Sequence, residues 1–324
     1  MSDPVRFGLL STARINDKLV AGARESEAVS IVAVASRDGE TAGAYARERS
    51  IGRAHGSYEA LLSDNDVEAV YISLPNGLHL EWSIRALAAG KHVLCEKPLG
   101  RSAEAVGRAF DVADREGRLL VEAFMYRHNP QTKRLATLVA DGAIGTPRLI
   151  RTSFSFRADD PADPRLRREL EGGALMDVGC YCVSAARLLF GEPLRVAGEQ
   201  RLGGDGVDVA FAGLLGFDGE LMAGFDCGIT HEESETLVVL GEEGSLHVAD
   251  PWHCRRTGIE LRRGGSAEQI AVAPVNSYTL ELEDLAVAIR EGRPPLLGRV
   301  DAVGQARTIE ALYAAADQQR TVTL

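Results

Sequence analysis

Short apolar runs alternating with helical patterns fill the first 122 residues, and no other feature constrains the fold of this chain as tightly. The runs Val5 to Leu10, Val29 to Ala35, a short one near Ala54, Glu68 to Leu74, Gly90 to Cys95 and Leu119 to Ala123 read as strands. Between them lie helical patterns ending near Arg24, then from Glu40 to Arg49, Tyr58 to Leu62, Leu78 to Ala89 with Gly90 as a stop, and Ser102 to Glu116. Strands and helices at this spacing build right-handed βαβ units around a parallel sheet. Ligands of such sheets bind outside the carboxyl ends of the strands.

After about Glu122 the rhythm changes. A helix from Pro130 to Asp141 leads to a strand, Arg148 to Phe156, and then to a Pro/Asp/Arg-rich loop through Glu171. Gly172-Gly173 precedes a helix from Ala174 to Phe190. Period-two alternation from Arg195 to Val272, broken at Asp218-Gly219, Glu242-Glu243-Gly244 and Gly264-Gly265, predicts successive antiparallel strands. Helices from Tyr278 to Arg290 and Val300 to Gln318 close the chain. The expected fold is α/β: a Rossmann domain with a doubly wound parallel sheet over 1–122, and an α+β domain with a large open, mainly antiparallel sheet over 123–324. The final helix is expected to pack back on the first domain.

At 324 residues two domains are the better expectation. A net charge of −11 argues against nucleic acid or an anionic membrane as partner. No apolar run reaches the length of a membrane span, and the first residues carry no signal-peptide pattern. Five cysteines, an odd number, predict reduced thiols and a cytoplasmic location. Cys180 and Cys182 lack zinc-ligand spacing and read as packing residues, so no metal is expected.

Three strand ends carry the chemistry. The strand ending in Cys95 runs straight into Glu96-Lys97-Pro98, which sets Lys97 where a cofactor or substrate would lie; Pro98 holds it extended. A surface Lys-Pro turn is the alternative. After the first strand, Ser11-Thr12-Ala13-Arg14-Ile15-Asn16 occupies the place of a G-x-G-x-x-G turn, with Ser11, Ala13 and Asn16 at the glycine positions. The motif fails as a string and survives as strand, tight turn and helix. The second strand ends in Ser36-Arg37, where an acidic residue would select NAD; serine and a guanidinium suit a 2′-phosphate instead. Asp38 would favour NAD if the turn rotated by one residue, but Asp38-Gly39-Glu40 reads as a helix start. NADP is therefore expected as the preferred cofactor, with NAD possible. Further on, Asp177 and Tyr181 are spaced i, i+4 on one helix face.

Several segments together resemble the glucose–fructose oxidoreductase, inositol dehydrogenase and MocA (Gfo/Idh/MocA) family. They are Leu74-Pro75-Asn76-Gly77-Leu78-His79, Gly90-Lys91-His92-Val93-Leu94-Cys95-Glu96-Lys97-Pro98, Glu122-Ala123-Phe124-Met125-Tyr126-Arg127 and Met176-Asp177-Val178-Gly179-Cys180-Tyr181. The last is most similar to the branch with NADP-dependent D-xylose 1-dehydrogenases and dimeric dihydrodiol dehydrogenases. The Arg-rich loop Arg165 to Glu171 departs from the family pattern and leaves the substrate open.

The resemblance implies that Lys97 reaches the reacting oxygen, and that Leu74, Pro75 and Asn76 line the cofactor ribose. His79 either touches the cofactor or supports the helix start; Glu96 either contacts the cofactor or orients the turn. Arg127 would bind substrate or brace the cleft; Asp177, grouped with Lys97 and Tyr181 as catalytic, would bind a substrate hydroxyl or hold Lys97, its alternative being a helix N-terminal carboxylate favoured by the dipole. Tyr181 would be the proton donor and acceptor, its pKa of about 10 lowered by the lysine cation. The expected reaction is hydride transfer between a nicotinamide and a sugar or diol hydroxyl, or its reverse. A trans-dihydrodiol dehydrogenase, a sugar ketoreductase, a redox-neutral NAD-dependent glycosidase and a cofactor-sensing regulator are the alternatives. Apolar residues on both faces of Val207 to Phe217, Glu220 to Gly228 and Glu235 to Gly241 predict a homodimer or homotetramer through the second sheet, a covering helix being the alternative.

Overall fold

The computed structural model describes residues 3–324. The first stretch runs β1 (Val5–Leu10), α1 (Asn16–Arg24), β2 (Val29–Ala35), α2 (Gly39–Arg49), β3 (Arg53–His55), α3 (Tyr58–Leu62), β4 (Ala69–Ile72), α4 (His79–Ala88), β5 (His92–Glu96), α5 (Ala103–Glu116) and β6 (Leu120–Ala123). Then come α6 (Pro130–Ala140), β7 (Pro147–Arg157), α7 (Cys180–Phe190), β8 (Arg195–Leu202), β9 (Asp208–Gly216), β10 (Met222–Gly228), β11 (Thr230–Gly241), β12 (Gly244–Val248), β13 (Ile259–Arg263) and β14 (Ser266–Ile270). The chain ends with α8 (Ser277–Glu291), α9 (Arg299–Gln318) and the short β15 (Val322–Thr323).

These elements divide into two compact units. The first takes the chain up to Gly100, Glu104–Met125 and Asn276–Val303; the second takes Arg101–Ala103, Tyr126–Val275 and Gly304–Leu324. The helix α8 thus belongs with the first unit, and most of α9 with the second.

In the first unit six parallel strands lie in the order β3-β2-β1-β4-β5-β6. Their apolar runs are buried on both faces, with Phe7, Leu9, Val34, Tyr71, Ile72 and Leu94 fully enclosed. Burying a Leu, Ile or Phe side chain stabilises by about 1.5–3 kcal/mol, so this core fixes the register of the sheet. In that register Leu10 pairs with both Ala35 and Ile72, and Ile72 with Cys95. The next residues along each strand, Ser11, Ser36, Ser73 and Glu96, are therefore brought to one edge. Against α1 packs α8, where a Cβ on Gly22 would stand 2.8 Å from the Thr279 amide nitrogen. Only glycine permits that approach, and Thr279 Oγ1 donates to the Gly22 carbonyl at 3.1 Å.

The second unit holds a nine-stranded sheet ordered β14-β13-β12-β11-β7-β10-β9-β8-β15. It is antiparallel except for β7 and β10, which pair in parallel. A parallel pair needs a crossover, and α7 with the turn before it supplies one. The small residues of α7 (Cys180, Cys182, Ser184, Ala185, Ala186) let it lie close on the sheet, all of them buried. The long apolar helical stretch 168–190, an exception to the expected absence of such runs, is mostly buried in this unit.

One expected element is built differently. The predicted helix 174–190 begins with a π-turn over Leu175–Gly179 before α7. Its entry is pinned from two sides: the Leu175 amide donates to Asp208 Oδ2 at 2.7 Å, and the Asp177 amide to the Gly173 carbonyl at 2.9 Å. Gly173 has φ +130°, and a Cβ there would lie 2.2 Å from Asp208 Oδ1. The regular i, i+4 relation expected for Asp177 and Tyr181 is thereby replaced by a wider turn, a form concentrated at functional sites.

Candidate active site

In the first unit, the turn after β1 shows how a glycine-poor sequence makes a dinucleotide loop. Ser11 has φ +140°, the region that favours glycine, so the backbone of the first glycine position is kept. A local network compensates the strain. Ser11 Oγ lies 2.7 Å from Ser73 Oγ and accepts from the Ala13 amide at 3.1 Å. Ser73 Oγ donates to Asn16 Oδ1 at 2.6 Å, and Asn16 Nδ2 donates to the Ser11 carbonyl at 2.8 Å. Asn16 and Ser73 thus do with side chains what glycines would do with backbone freedom. Asp17, in the first turn of α1, is held by Arg49 Nε at 2.6 Å, which offsets its charge at the helix N-terminus.

At the end of β2, the Ser36 amide donates to His55 O, and Arg37 is exposed. Asp38 is spent as the N-cap of α2: its carboxylate accepts from the Thr41 amide at 2.7 Å and the Glu40 amide at 3.3 Å. Those hydrogen bonds from Thr41 hold its pKa below the usual carboxylate range. The donor set along this edge, Thr12, Arg14, Ser36 and Arg37 with the Ser11 turn, suits a dinucleotide that carries a phosphate on its ribose.

Lys97 follows β5, half-buried, before a cis peptide to Pro98. Two side chains brace this loop. His79, 1% exposed, sets Nδ1 2.8 Å from the Pro98 carbonyl and Nε2 2.7 Å from the Leu74 carbonyl. Glu122 Oε1 accepts from the Leu99 amide at 2.7 Å. Burial pushes the His79 pKa down, against the pull of its two carbonyl partners. His79 thereby ties the Leu74-Pro75-Asn76 turn to the lysine loop. Glu96 accepts a hydrogen bond from the buried Tyr71 hydroxyl. Burial and the nearby Glu96 push the carboxyl of Glu281, on α8, well above the carboxylate range.

In the second unit, Tyr181 is 6% exposed and sits in an aromatic cluster. Its ring centroid lies 5.4 Å from Phe154, 5.6 Å from Tyr126 and 5.8 Å from Trp252. Asp177 leaves the π-turn toward the Arg-rich loop, where Arg165 Nε meets Oδ2 at 2.7 Å. Arg127 Nη1 donates to Ser184 Oγ at 3.3 Å, on α7 one turn after Tyr181. The five cysteines are buried thiols, as expected of packing residues, and burial raises Cys95, Cys182, Cys227 and Cys254.

Sequence reasoning missed Ser73, Arg165, Phe154 and Trp252. Ser73 had a signal in its place at the end of the fourth strand; the others are brought to Asp177 and Tyr181 by tertiary packing.

The oxidoreductase family with an NAD-binding Rossmann fold matches residues 5–124, and the GFO/IDH/MocA C-terminal domain matches residues 132–247. The chain belongs to the GFO/IDH/MocA family. The chain is similar to D-xylose 1-dehydrogenase (NADP(+)) 2 of Haloferax volcanii, 40% identical over 98% of this chain and 99% of that protein. Trans-1,2-dihydrobenzene-1,2-diol dehydrogenase of Macaca fascicularis is 34% identical over 84% of this chain and 81% of its own length. A 3-ketoreductase from Actinomadura kijaniata, crystallised with NADP and TDP-benzene, superposes with a TM-score of 0.91 at 31% identity, covering 96% of this chain and 98% of that one. This GFO/IDH/MocA protein is thus an oxidoreductase with a Rossmann unit and a mixed-sheet unit.

Proposed function

We propose that the protein is an NADP-dependent dehydrogenase or reductase of a sugar or vicinal diol, acting between a carbinol and its carbonyl. What carries this reading is the 40% identity, over nearly the whole of both chains, to an NADP-dependent D-xylose 1-dehydrogenase. The nicotinamide supplies the hydride chemistry. The turn at Ser11 to Ile15, with Ser36, Arg37, Leu74, Pro75 and Asn76, binds and orients it. Tyr181 takes the hydroxyl proton during oxidation and returns it during reduction. Lys97 stabilises the charge that develops on the substrate oxygen, where a fixed cation is worth most. Arg127 and Asp177 hold substrate hydroxyls. In the related 3-ketoreductase a lysine and a tyrosine, substituted in separate crystal structures, stand the same number of residues apart as Lys97 and Tyr181, which supports the pairing. A panel of aldoses and diols with NADP+, read by NADPH formation, tests the proposal. Net NADPH from at least one class is expected; turnover of a glycoside without net NADPH would refute it.

We further propose that two copies pair through the outer face of the second sheet. The inner face, with Ile150, Phe154, Leu215 and Phe225, is buried. On the other face Leu214 and Met222 are 63% and 51% exposed, and register sets Met222 beside Leu149 and Leu149 beside Leu240. A row of large apolar side chains on a strand face is self-complementary under a two-fold axis.

A further inference from the structure

We propose that Glu235, Asp250 and His253 form a site for a divalent transition cation of the zinc or manganese class, independent of the reaction proposed above. Glu235 lies on β11; Asp250 and His253 lie on the segment between β12 and β13. One ligand atom from each falls within 4.8 Å of the others, a grouping that occurs once among the described residues. The Asp250 side chain is 0% exposed, Glu235 6% and His253 28%, so the carboxylates are enclosed and the imidazole forms the opening.

The hydrogen bonding points to a missing centre. Asp250 Oδ1 and both carboxylate oxygens of Glu235 are buried without a hydrogen bond. His253 Nδ1 is 2.6 Å from Glu235 Oε1, yet the two are not aligned as donor and acceptor. One shared ion would satisfy both atoms. Buried anionic oxygens are costly unless something compensates them. The nearest permanent cation, Arg255, stands 3.4 Å from Asp250 and 3.6 Å from Glu235, and also reaches Glu233 at 3.8 Å. These distances exceed the 2.7–2.9 Å of a charge-assisted bond. Its side chain is 55% exposed, so it is a loose counter-charge that an ion can displace.

The surroundings hold the ligands in place. Asp250 Oδ2 accepts from the amides of Arg255 at 2.9 Å and Arg256 at 3.0 Å, which leaves Oδ1 directed inward. Trp252, between the two loop ligands, donates Nε1 to the Ser153 carbonyl at 3.0 Å, and Phe154 meets the His253 ring edge-on at 5.7 Å. Such outer contacts commonly orient metal ligands. One imidazole and two carboxylates suit zinc or manganese; calcium takes more oxygen ligands. Ligands about 2 Å from an ion stand roughly 3 Å apart, so loading separates Nδ1 and Oε1 by a few tenths of an ångström. The ion would clip the loop after β12 to β11, beside the aromatic cluster of Tyr181.

The test is calorimetric titration of Zn2+ and of Mn2+ into chelator-stripped, untagged full-length protein. One saturable site per chain is expected for at least one ion, with the unfolding midpoint raised by that ion. His253→Gln and Glu235→Gln each should weaken binding at least about tenfold. His253 is the most exposed ligand, so its variant keeps the fold; unfolding of both stripped variants verifies this. No saturable binding of either ion, or wild-type affinity in either folded variant, overturns the proposal.

Discussion

Arg165 Nε stands 2.7 Å from Asp177 Oδ2, and this pair ties the Arg-rich loop to the π-turn that precedes α7. The Asp177 side chain is 13% exposed, so the pair is largely shielded from solvent. Removing the guanidinium takes a charge-assisted contact from a largely buried carboxylate and frees the loop. Arg165→Ala should lower kcat/KM at least about tenfold while leaving NADP(H) affinity within about twofold. Arg165→Lys restores charge but not the planar fork, and should recover only part of the loss. Steady-state kinetics with a cofactor titration on each variant checks both.

Tyr181→Phe removes the proposed proton carrier and little else, since the ring contacts with Phe154, Tyr126 and Trp252 survive. The expected loss in kcat is at least about a hundredfold, the usual scale for a positioned acid/base, with cofactor affinity kept. Lys97→Met should cost at least as much, because it removes the proposed stabilisation of charge on the substrate oxygen. Wild-type turnover in both variants would defeat the assignment.

Element type was legible in the first unit because its strands are buried on both faces and read as continuous apolar runs. The helix boundaries there were fixed by local chemistry, such as the Asp38 cap and the positive φ of Gly90. Less legible was whatever depends on contacts distant in sequence. The π-turn at Leu175–Gly179 has no periodicity signal; it is imposed by Asp208 through the Leu175 amide. The parallel pairing of β7 and β10 interrupts an otherwise antiparallel sheet for a topological reason that strand patterns do not carry. Ser11 was recognised as a glycine substitute, but the Ser73 and Asn16 side chains that make its backbone tolerable come from another strand end and a helix.

If the open face of the second sheet is the contact between copies, a charge placed at its centre should divide the assembly. Leu214→Asp puts a carboxylate where two copies would bury it, at a cost of several kcal/mol. Light scattering should report a dimer or larger for the wild type at micromolar concentration and a monomer for the variant. A wild-type monomer would refute the interface.

The proposed cofactor preference rests on Arg37, because Asp38 is occupied as a helix cap. A carboxylate bonded to the Glu40 and Thr41 amides would have to abandon the α2 cap to select a ribose hydroxyl. A charge-assisted contact from Arg37 to a 2′-phosphate is worth about 1.5–3 kcal/mol, or roughly 10- to 150-fold in affinity. NADP(H) should therefore bind at least about tenfold more tightly than NAD(H), and Arg37→Ala should remove most of that margin. Paired titrations of both cofactors into both proteins measure it, and equal or tighter NAD binding by the wild type contradicts it.

The pH dependence of stability should carry the mark of His92. This residue, at the start of β5, accepts from the Leu119 amide through Nδ1 at 3.0 Å, so the native ring is unprotonated there. Burial, helped by the Arg118 charge, lowers its pKa to about 4. In the unfolded chain the ring titrates near the ordinary value of about 6.5. Between those values the unfolded state binds more protons, so stability rises with pH. The contribution is complete above about pH 6.5 and disappears as the pH falls toward 4, amounting to at most about 3 kcal/mol. Asp208 acts with the opposite sign: burial raises it to about 6, so its native form gains stability as the pH falls below that value. The two effects overlap in the wild type, and a single-site variant separates them. His92→Asn keeps an acceptor for the Leu119 amide but does not titrate. Denaturant unfolding at steps from pH 7 to pH 4.5 should show a stability difference between the proteins that shrinks steadily in the variant's favour. A constant difference across that range would show that His92 titrates alike in both states.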